Sequence, residues 1–420
     1  MNRVYNTEIL SVGTEILLGH VVNSDAKAIS EMLSAIGINV KYHTVVGDNP
    51  ERLRECVEIA KNRADIIVTT GGLGPTYDDL TKALLAESFG LKLVRDEKEY
   101  ALMQAYGNER HRAVPNVFTQ SMLPEGSTVF HNTCGTAPGC AFEKDGIIVI
   151  MLPGPPKECS TMFRLSAIPY LKKLSDEQIV SHAIRIFGKG EFEVDGIFRE
   201  EMDKMTNPTM APYTRECDCL LQVTAKAKSE EEAERMLEPV IAHVKDVLGD
   251  VVFGVDVDEI ECCVLELLKE KNKTFTLAES CTGGEVAKRF TDLPGASEVF
   301  PGGFVVYSDF AKAQLLGIDA ELIREKTAVS REVAEQMAIR CRKIMKTDIG
   351  IGITGLAGPD GDGVNEVGTV FISMDTEDGT FVKEIRIPRR GVGGRQFIRR
   401  MSGSIAFDLI RRHLCRMEIR

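Results

Sequence analysis

The sequence has no apolar run approaching the roughly 20 residues that cross a bilayer, so no membrane association is expected. It has no basic excess either. The formal net charge is −12, which argues against binding nucleic acid through a broad basic face. The first residues, Met1-Asn2-Arg3-Val4-Tyr5-Asn6, lack the apolar core of a signal peptide. No histidine lies between His243 and His413, which takes the usual base of a Ser-His-Asp triad away from most of the C-terminal part. Cysteine is plentiful, but its spacing is wrong for a usual zinc site. Cys217/Cys219 and Cys262/Cys263 are too closely spaced and have no partner pair. Eleven cysteines, an odd number, suit reduced thiols and a cytoplasmic location.

What is present is ordinary globular composition, with 43% hydrophobic and 27% charged residues. At 420 residues the chain exceeds one core. Three α/β or α+β domains are expected, over 1–176, 177–256 and 257–420. The first alternates strands and helices: Thr7–Val12, a helix opened by Asn23-Ser24-Asp25, Ile38–Val46, a helix opened by Asn49-Pro50, then Asp65–Thr70. That order predicts a parallel sheet covered by helices, with ligands at the carboxyl ends of the strands. The middle segment reads as a small α+β unit without evident chemistry. The third is again α/β.

Residues Leu277-Ala278-Glu279-Ser280-Cys281-Thr282-Gly283-Gly284 carry the strongest chemical signal. A strand-like run ends in a carboxylate and a serine, and small residues then lead into a helix. Such a serine is either a nucleophile whose oxyanion meets helix N–H groups or part of a phosphate-binding turn. With no histidine nearby, a Ser–Lys arrangement is the alternative to a triad. Lys312 is the candidate base, five residues beyond Tyr307, and burial must lower its pKa for that work. Thr282 can equally be a helix cap, and Cys281 is better read as a small buried side chain. Arginines crowd the C-terminus at 386, 389, 390, 395, 399, 400, 411 and 412. Most read as a solvated helix face, with Arg395 the candidate for a phosphate contact.

A second turn, Gly71-Gly72-Leu73-Gly74-Pro75-Thr76-Tyr77-Asp78-Asp79, joins a buried strand to a helix. Its glycines admit a close-lying anion, yet two carboxylates beside a phosphate require a cation between them. Asp78 and Asp79 are therefore metal candidates; otherwise they are helix caps.

The motifs Ala278–Gly284, Tyr307-Ser308 with Lys312, Ala328-Val329-Ser330 and Gly352–Gly361 with Val367–Val370 closely resemble the C-terminal domain of the CinA family, whose stand-alone form is the nicotinamide-nucleotide amidase PncC. The resemblance implies deamidation of nicotinamide mononucleotide (NMN) to nicotinate mononucleotide and ammonia, with no cofactor. Ser280 would be the nucleophile, with Lys312 and Tyr307 activating it. Glu279, Thr282, Gly283, Gly284, Ser297, Thr354, Gly355, Ala357, Gly358 and Arg395 would line that site. Asp309 and Glu366 depart from the family pattern and add negative charge nearby.

Val12–Leu17 with Gly19, Asn23-Ser24, the Gly71–Thr81 run and Pro153–Pro156 with Glu158 resemble the family's N-terminal, MoaB/MogA-like domain. That implies an ADP-ribose pyrophosphatase using Mg²⁺ or Co²⁺ and K⁺, with Glu15, Asn23, Gly71, Gly72, Gly74 and Glu158 in the pocket. The same fold serves a non-catalytic nucleotide- or molybdopterin-binding module, so both readings stand. Small nucleotides are the expected partners, with no direct nucleic-acid contact, and a homodimer is expected.

Overall fold

The computed structural model describes residues 5–76, 79–109, 117–173, 178–388 and 393–419. Among them no helix is long and apolar enough to cross a membrane. The chain divides by contacts into two compact units, one of Met1–Ser181 with Ala225–Arg235 and one of His182–Thr224 with Met236–Arg420.

The first unit is built on a six-stranded sheet. Its order is Asn39–Val46, Asn6–Val12, Ile66–Thr70, Ile147–Leu152, Gly139–Lys144, Thr128–Phe130. The first four strands run parallel. The last two run antiparallel, an edge that the βαβαβ reading did not anticipate. Ile66–Thr70 is buried along its whole length, as a strand covered on both faces must be. Helix Pro50–Lys61 places Leu53 and Val57 against Leu10 and Val149 on one face. Helix Ser24–Ala35 places Ile29 and Leu33 against Ile9 and Ile150 on the other. Asn23 and Asn49 cap these helices through their side-chain oxygens, as their positions predicted. From Asn6–Val12 the chain moves to one neighbouring strand and then to the other. The crevice opens at that switch point.

The second unit contains the strand Thr209–Thr214, antiparallel to Cys219–Thr224, and Val252–Val255 paired with Ile184–Ile186. Thr209–Thr214 and Val252–Val255 gave no clear signal in the sequence, because each is short and one carries Pro212. The larger sheet of the unit has the order Gly303–Val305, Phe275–Glu279, Ile349–Gly355, Thr369–Thr376, Gly379–Arg386. Its first three strands are parallel and its last two antiparallel. Again the chain leaves Phe275–Glu279 to one side and returns to the other, so Ser280 stands at a switch point.

One face of this sheet packs on helices Ile260–Glu270, Glu285–Thr291 and Gly394–Leu414 through Leu268, Phe290 and Phe407. A buried ion pair fastens the three helices. Arg289 donates from Nε and Nη2 to both Glu261 oxygens at 2.9 and 2.7 Å, and further to Arg400 O and Ser404 Oγ. Two of the C-terminal arginines are not solvated. Arg411 and Arg412 are buried and share Asp408, with Asp250 beyond. Arg389 and Arg390 lie outside the described residues.

Removing one partner of a buried, hydrogen-bonded pair leaves an uncompensated charge. Glu261→Ala should therefore lower stability by about 3–5 kcal/mol, read from the urea unfolding midpoint. A loss below 1 kcal/mol would show that Arg289 does not depend on this partner.

Candidate active sites

At the second unit's switch point the strand Phe275–Glu279 ends in a carboxylate with no exposure to solvent. Glu279 accepts from the N–H groups of Gly284 at 2.9 Å, Val286 at 3.2 Å and Ala287 at 2.8 Å. It thus caps the helix Glu285–Thr291 from within, satisfying donors that would otherwise face outward. Gly284 sits at φ 90, a backbone region that a side chain disfavours. The result is a tight turn that holds Ser280 between two parallel strands, with its N–H bonded to Ile353 O. Glu279 is a scaffold for the turn and does not face substrate as expected. The N–H of Gly283 is bonded to Ser280 O. That of Thr282 has no acceptor among the described residues, and neither has the buried Thr282 Oγ1.

Lys312 comes from the next crossover. Ser308 caps the helix Asp309–Leu316, and the first turn swings Lys312 inward until it is 1% exposed. Its Nζ lies 3.1 Å from Ser280 Oγ, 3.1 Å from Val306 O and 3.5 Å from Tyr307 O. Burial lowers its pKa below 10.5, while Asp309 pulls it back up. All three neighbours are oxygen atoms that can accept from the amine, and a neutral amine would keep one lone pair for the serine hydroxyl.

Tyr307 takes a different place from the one expected. Its backbone oxygen, not its phenol, meets Lys312. The phenol is 59% exposed for the residue as a whole and accepts from Arg395 Nη2 at 2.9 Å. Arg395 also donates to Gly358 O, so it ties Tyr307 to the Thr354–Gly358 loop. Thr354 is buried and bonded to Ala328 O, and Ala357 packs in the core. Gly355 ends the strand beside Ser280.

Ser297 is not brought to this site. It lies in the turn Ala296–Glu298, just before Val299, whose carbonyl accepts from Phe275 at the other end of the strand. Five residues of strand separate it from Ser280, on the order of 15 Å. Glu366 carries its charge beside Arg386. Arg399, which sequence reasoning passed over, donates twice to Thr282 O and braces the turn.

In the first unit, a cleft of about 580 Å³ lies at the switch point. The Gly71–Gly74 turn, Glu15, Asn23, Asp79 and Glu158 all line it. Gly71 packs so closely that an added Cβ would stand 2.2 Å from Val12 O. Asp79 does not cap the following helix. Its Oδ2 accepts from Thr76 N at 2.7 Å and Thr76 Oγ1 at 2.5 Å, which closes the turn; among the described residues Oδ1 has no hydrogen bond. Asp78 lies outside the described residues. Asn23 is held by Ser11 and its helix, and Glu158 by Asn132 at 2.7 Å. Sequence reasoning missed Asp25 as a cleft residue. Burial raises its carboxyl to about 6, with the Cys159 thiol bonded to it. Among the described residues no three His, Cys, Asp or Glu side chains converge as a metal cage. Mg²⁺ needs only one or two carboxylates when a nucleotide supplies phosphate oxygens, and Asp79 Oδ1 suits that role.

Relatives align along nearly the full chain. A CinA-like protein of Desulfovibrio desulfuricans is 42% identical over 415 residues, 98% of this chain and 97% of its own length. A CinA-like protein of Dictyoglomus turgidum is 42% identical over 409 residues, 97% of this chain and 98% of its own. The chain belongs to the CinA family. Residues 257–414 match the CinA C-terminal domain, 8–173 the "Probable molybdopterin binding domain", and 181–254 the damage-inducible protein CinA KH domain. A solved CinA structure from Thermoplasma acidophilum, described as of unknown function, is 31% identical with a TM-score of 0.37, covering 41% of this chain and 99% of that one. The Ser280–Lys312 pair thus falls in the CinA C-terminal match and the N-terminal cleft in the molybdopterin-type match.

All the cysteines are free thiols. Burial pushes Cys281 up to about 12, which disfavours the thiolate that reacts. Iodoacetamide at neutral pH should label exposed Cys134 and Cys415 while sparing Cys281 by at least tenfold in rate. Equal labelling on peptide mapping would place Cys281 in contact with solvent.

Proposed function

We propose that the C-terminal site is a serine amidohydrolase acting on nicotinamide mononucleotide. The observation that carries this reading is the 3.1 Å contact between Lys312 Nζ and Ser280 Oγ, both of them buried. Ser280 Oγ attacks the carboxamide carbon as its proton passes to the Lys312 amine. The carbonyl oxygen becomes an oxyanion, for which the unused Thr282 N–H is the available donor; one such donor is typically worth about 10²–10³ in kcat. Collapse breaks the C–N bond, and the Lys312 ammonium returns the proton to the departing ammonia. Water then attacks the acyl-serine, again with Lys312 taking the proton; the bond to Ser280 Oγ breaks, that oxygen takes the proton back from Lys312, and nicotinate mononucleotide leaves. Arg395, held across the mouth by Tyr307 and Gly358, is the cation for the phosphate.

Purified wild type should release ammonia from nicotinamide mononucleotide, and Ser280→Ala should lose at least 10³-fold in kcat. Equal release by both proteins would refute the assignment. Tyr307→Phe removes only the bond to Arg395, so it should raise KM several-fold with little change in kcat; a large fall in kcat would return the phenol to proton transfer.

The N-terminal cleft we read as an ADP-ribose pyrophosphatase. Asp79, together with phosphate oxygens, would hold the divalent cation, which neutralises pyrophosphate charge when bound. K⁺ would assist there. The Gly71–Gly74 turn lets the pyrophosphate approach backbone N–H groups, as its shape suits. The competing reading, a binding module without turnover, draws on the Thr76 bonds that already occupy one Asp79 oxygen. Formation of AMP from ADP-ribose with Mg²⁺ or Co²⁺ should fall at least 10²-fold in Asp79→Ala. Binding without AMP formation in wild type would favour the module.

A further inference from the structure

A second hollow, of about 250 Å³, adjoins the N-terminal cleft, and Thr136 lines both. It is smaller than the roughly 300–1,000 Å³ of a site for a whole drug-sized ligand. Leu102 and Met103 form an apolar part of its wall, and Glu99 and His131 bring its ionisable groups. Neither of these two has a role in the reading above.

The pair comes from two elements. Glu99 stands in the first turn of the helix Glu97–Glu109, where the dipole favours a carboxylate. Its N–H is held by Asp96 Oδ1 at 2.8 Å, and its side chain is 4% exposed. His131 follows the strand Thr128–Phe130, and its side chain is 49% exposed. The imidazole Nδ1 lies 3.1 Å from each Glu99 oxygen. A carboxylate only accepts, so it fixes the proton on Nδ1, and the neutral ring offers Nε2 as an acceptor. With Nδ1 turned to a buried carboxylate, the exposed edge of the ring is the one that carries Nε2. Among the described residues Nε2 has no hydrogen bond.

The next residue fixes the loop. Asn132 Oδ1 accepts from the N–H groups of Cys134 at 3.0 Å and Gly135 at 2.7 Å, and its Nδ2 donates to Glu158 of the cleft. The imidazole is thus preorganised beside the cleft at both its ring and its backbone.

We infer that this hollow is a sugar subsite of the N-terminal site, taking the terminal, non-adenylyl ribose of the bound nucleotide, one of whose hydroxyls donates to His131 Nε2. The inference rests on the reading of the cleft as an ADP-ribose site. The chemistry selects the occupant. An acceptor nitrogen backed by a carboxylate repels a phosphate oxygen and suits a hydroxyl. A terminal pentose can enter a side hollow of this size, whereas the adenylyl ribose carries a base at one end and phosphate at the other.

The test uses the full chain with Mg²⁺ at about pH 8, where imidazole is ordinarily neutral. Three uncleavable ligands are titrated calorimetrically: the α,β-methylene analogues of ADP-ribose, of ADP, which lacks the terminal ribose, and of ATP, which has a phosphate in its place. His131→Asn keeps an amide N–H for Glu99 and removes the Nε2 acceptor. We expect wild type to bind the ADP-ribose analogue about tenfold more tightly than the ADP analogue, and the variant to bind the two alike. The variant's affinity for the ADP analogue, its melting temperature and its ammonia release from nicotinamide mononucleotide should be unchanged. No discrimination by wild type, or discrimination that survives in His131→Asn, would overturn the inference while leaving the nucleotide site standing. An equal loss for all three ligands with a lowered melting temperature would overturn it in favour of a structural role. A larger loss for the ATP analogue than for the ADP-ribose analogue would overturn it in favour of an anion pocket. A wild type that binds none of the three would remove the nucleotide reading and the inference with it.

Discussion

The C-terminal site depends on a carboxylate kept from water. Glu279 spends its oxygens on three N–H groups at the start of the following helix. That choice sets the turn, the turn places Ser280, and Ser280 meets a lysine arriving from the next crossover. A fully buried carboxylate without these donors would be costly. With them it is a rigid support, and Arg399 braces the same turn from the C-terminal helix through Thr282 O.

Burial does the second part of the work. Lys312 is surrounded by carbonyls and a hydroxyl rather than by a carboxylate in contact. These neutral oxygens replace only part of the water that a charged ammonium would lose, so burial lowers its pKa. Asp309 acts the other way from the first turn of the same helix. On the proposed mechanism, the balance between these two influences sets how readily the amine works at neutral pH. Glu366, the other departure, faces Arg386, so its charge is largely compensated.

Much of this was legible in the sequence. The alternation of apolar runs with capped helices in the N-terminal part predicted the parallel strands, and Asn23 and Asn49 cap where their positions said they would. Ser280 and Lys312 stood out as a pair once histidine was absent. Side-chain direction was not legible. Whether Glu279 faces a ligand or its own helix, and which atom of Tyr307 meets Lys312, depends on a turn of three or four residues whose geometry no periodicity encodes. Ser297 was misplaced because chain proximity to a motif says nothing about which end of a strand it reaches. The buried Arg411–Asp408–Arg412 network escaped notice because charge clusters usually belong to solvent.

The central claim is that Lys312, as the neutral amine, activates Ser280. The direct measurement is covalent labelling by a small sulfonyl fluoride followed across pH by mass spectrometry. Labelling should fall on Ser280 alone and accelerate with pH through a midpoint below 10.5, since burial lowers the lysine pKa and only the deprotonated amine accepts the serine proton. Lys312→Met should abolish it at every pH. Labelling of Ser280 that persists in Lys312→Met with the same pH dependence would contradict the account.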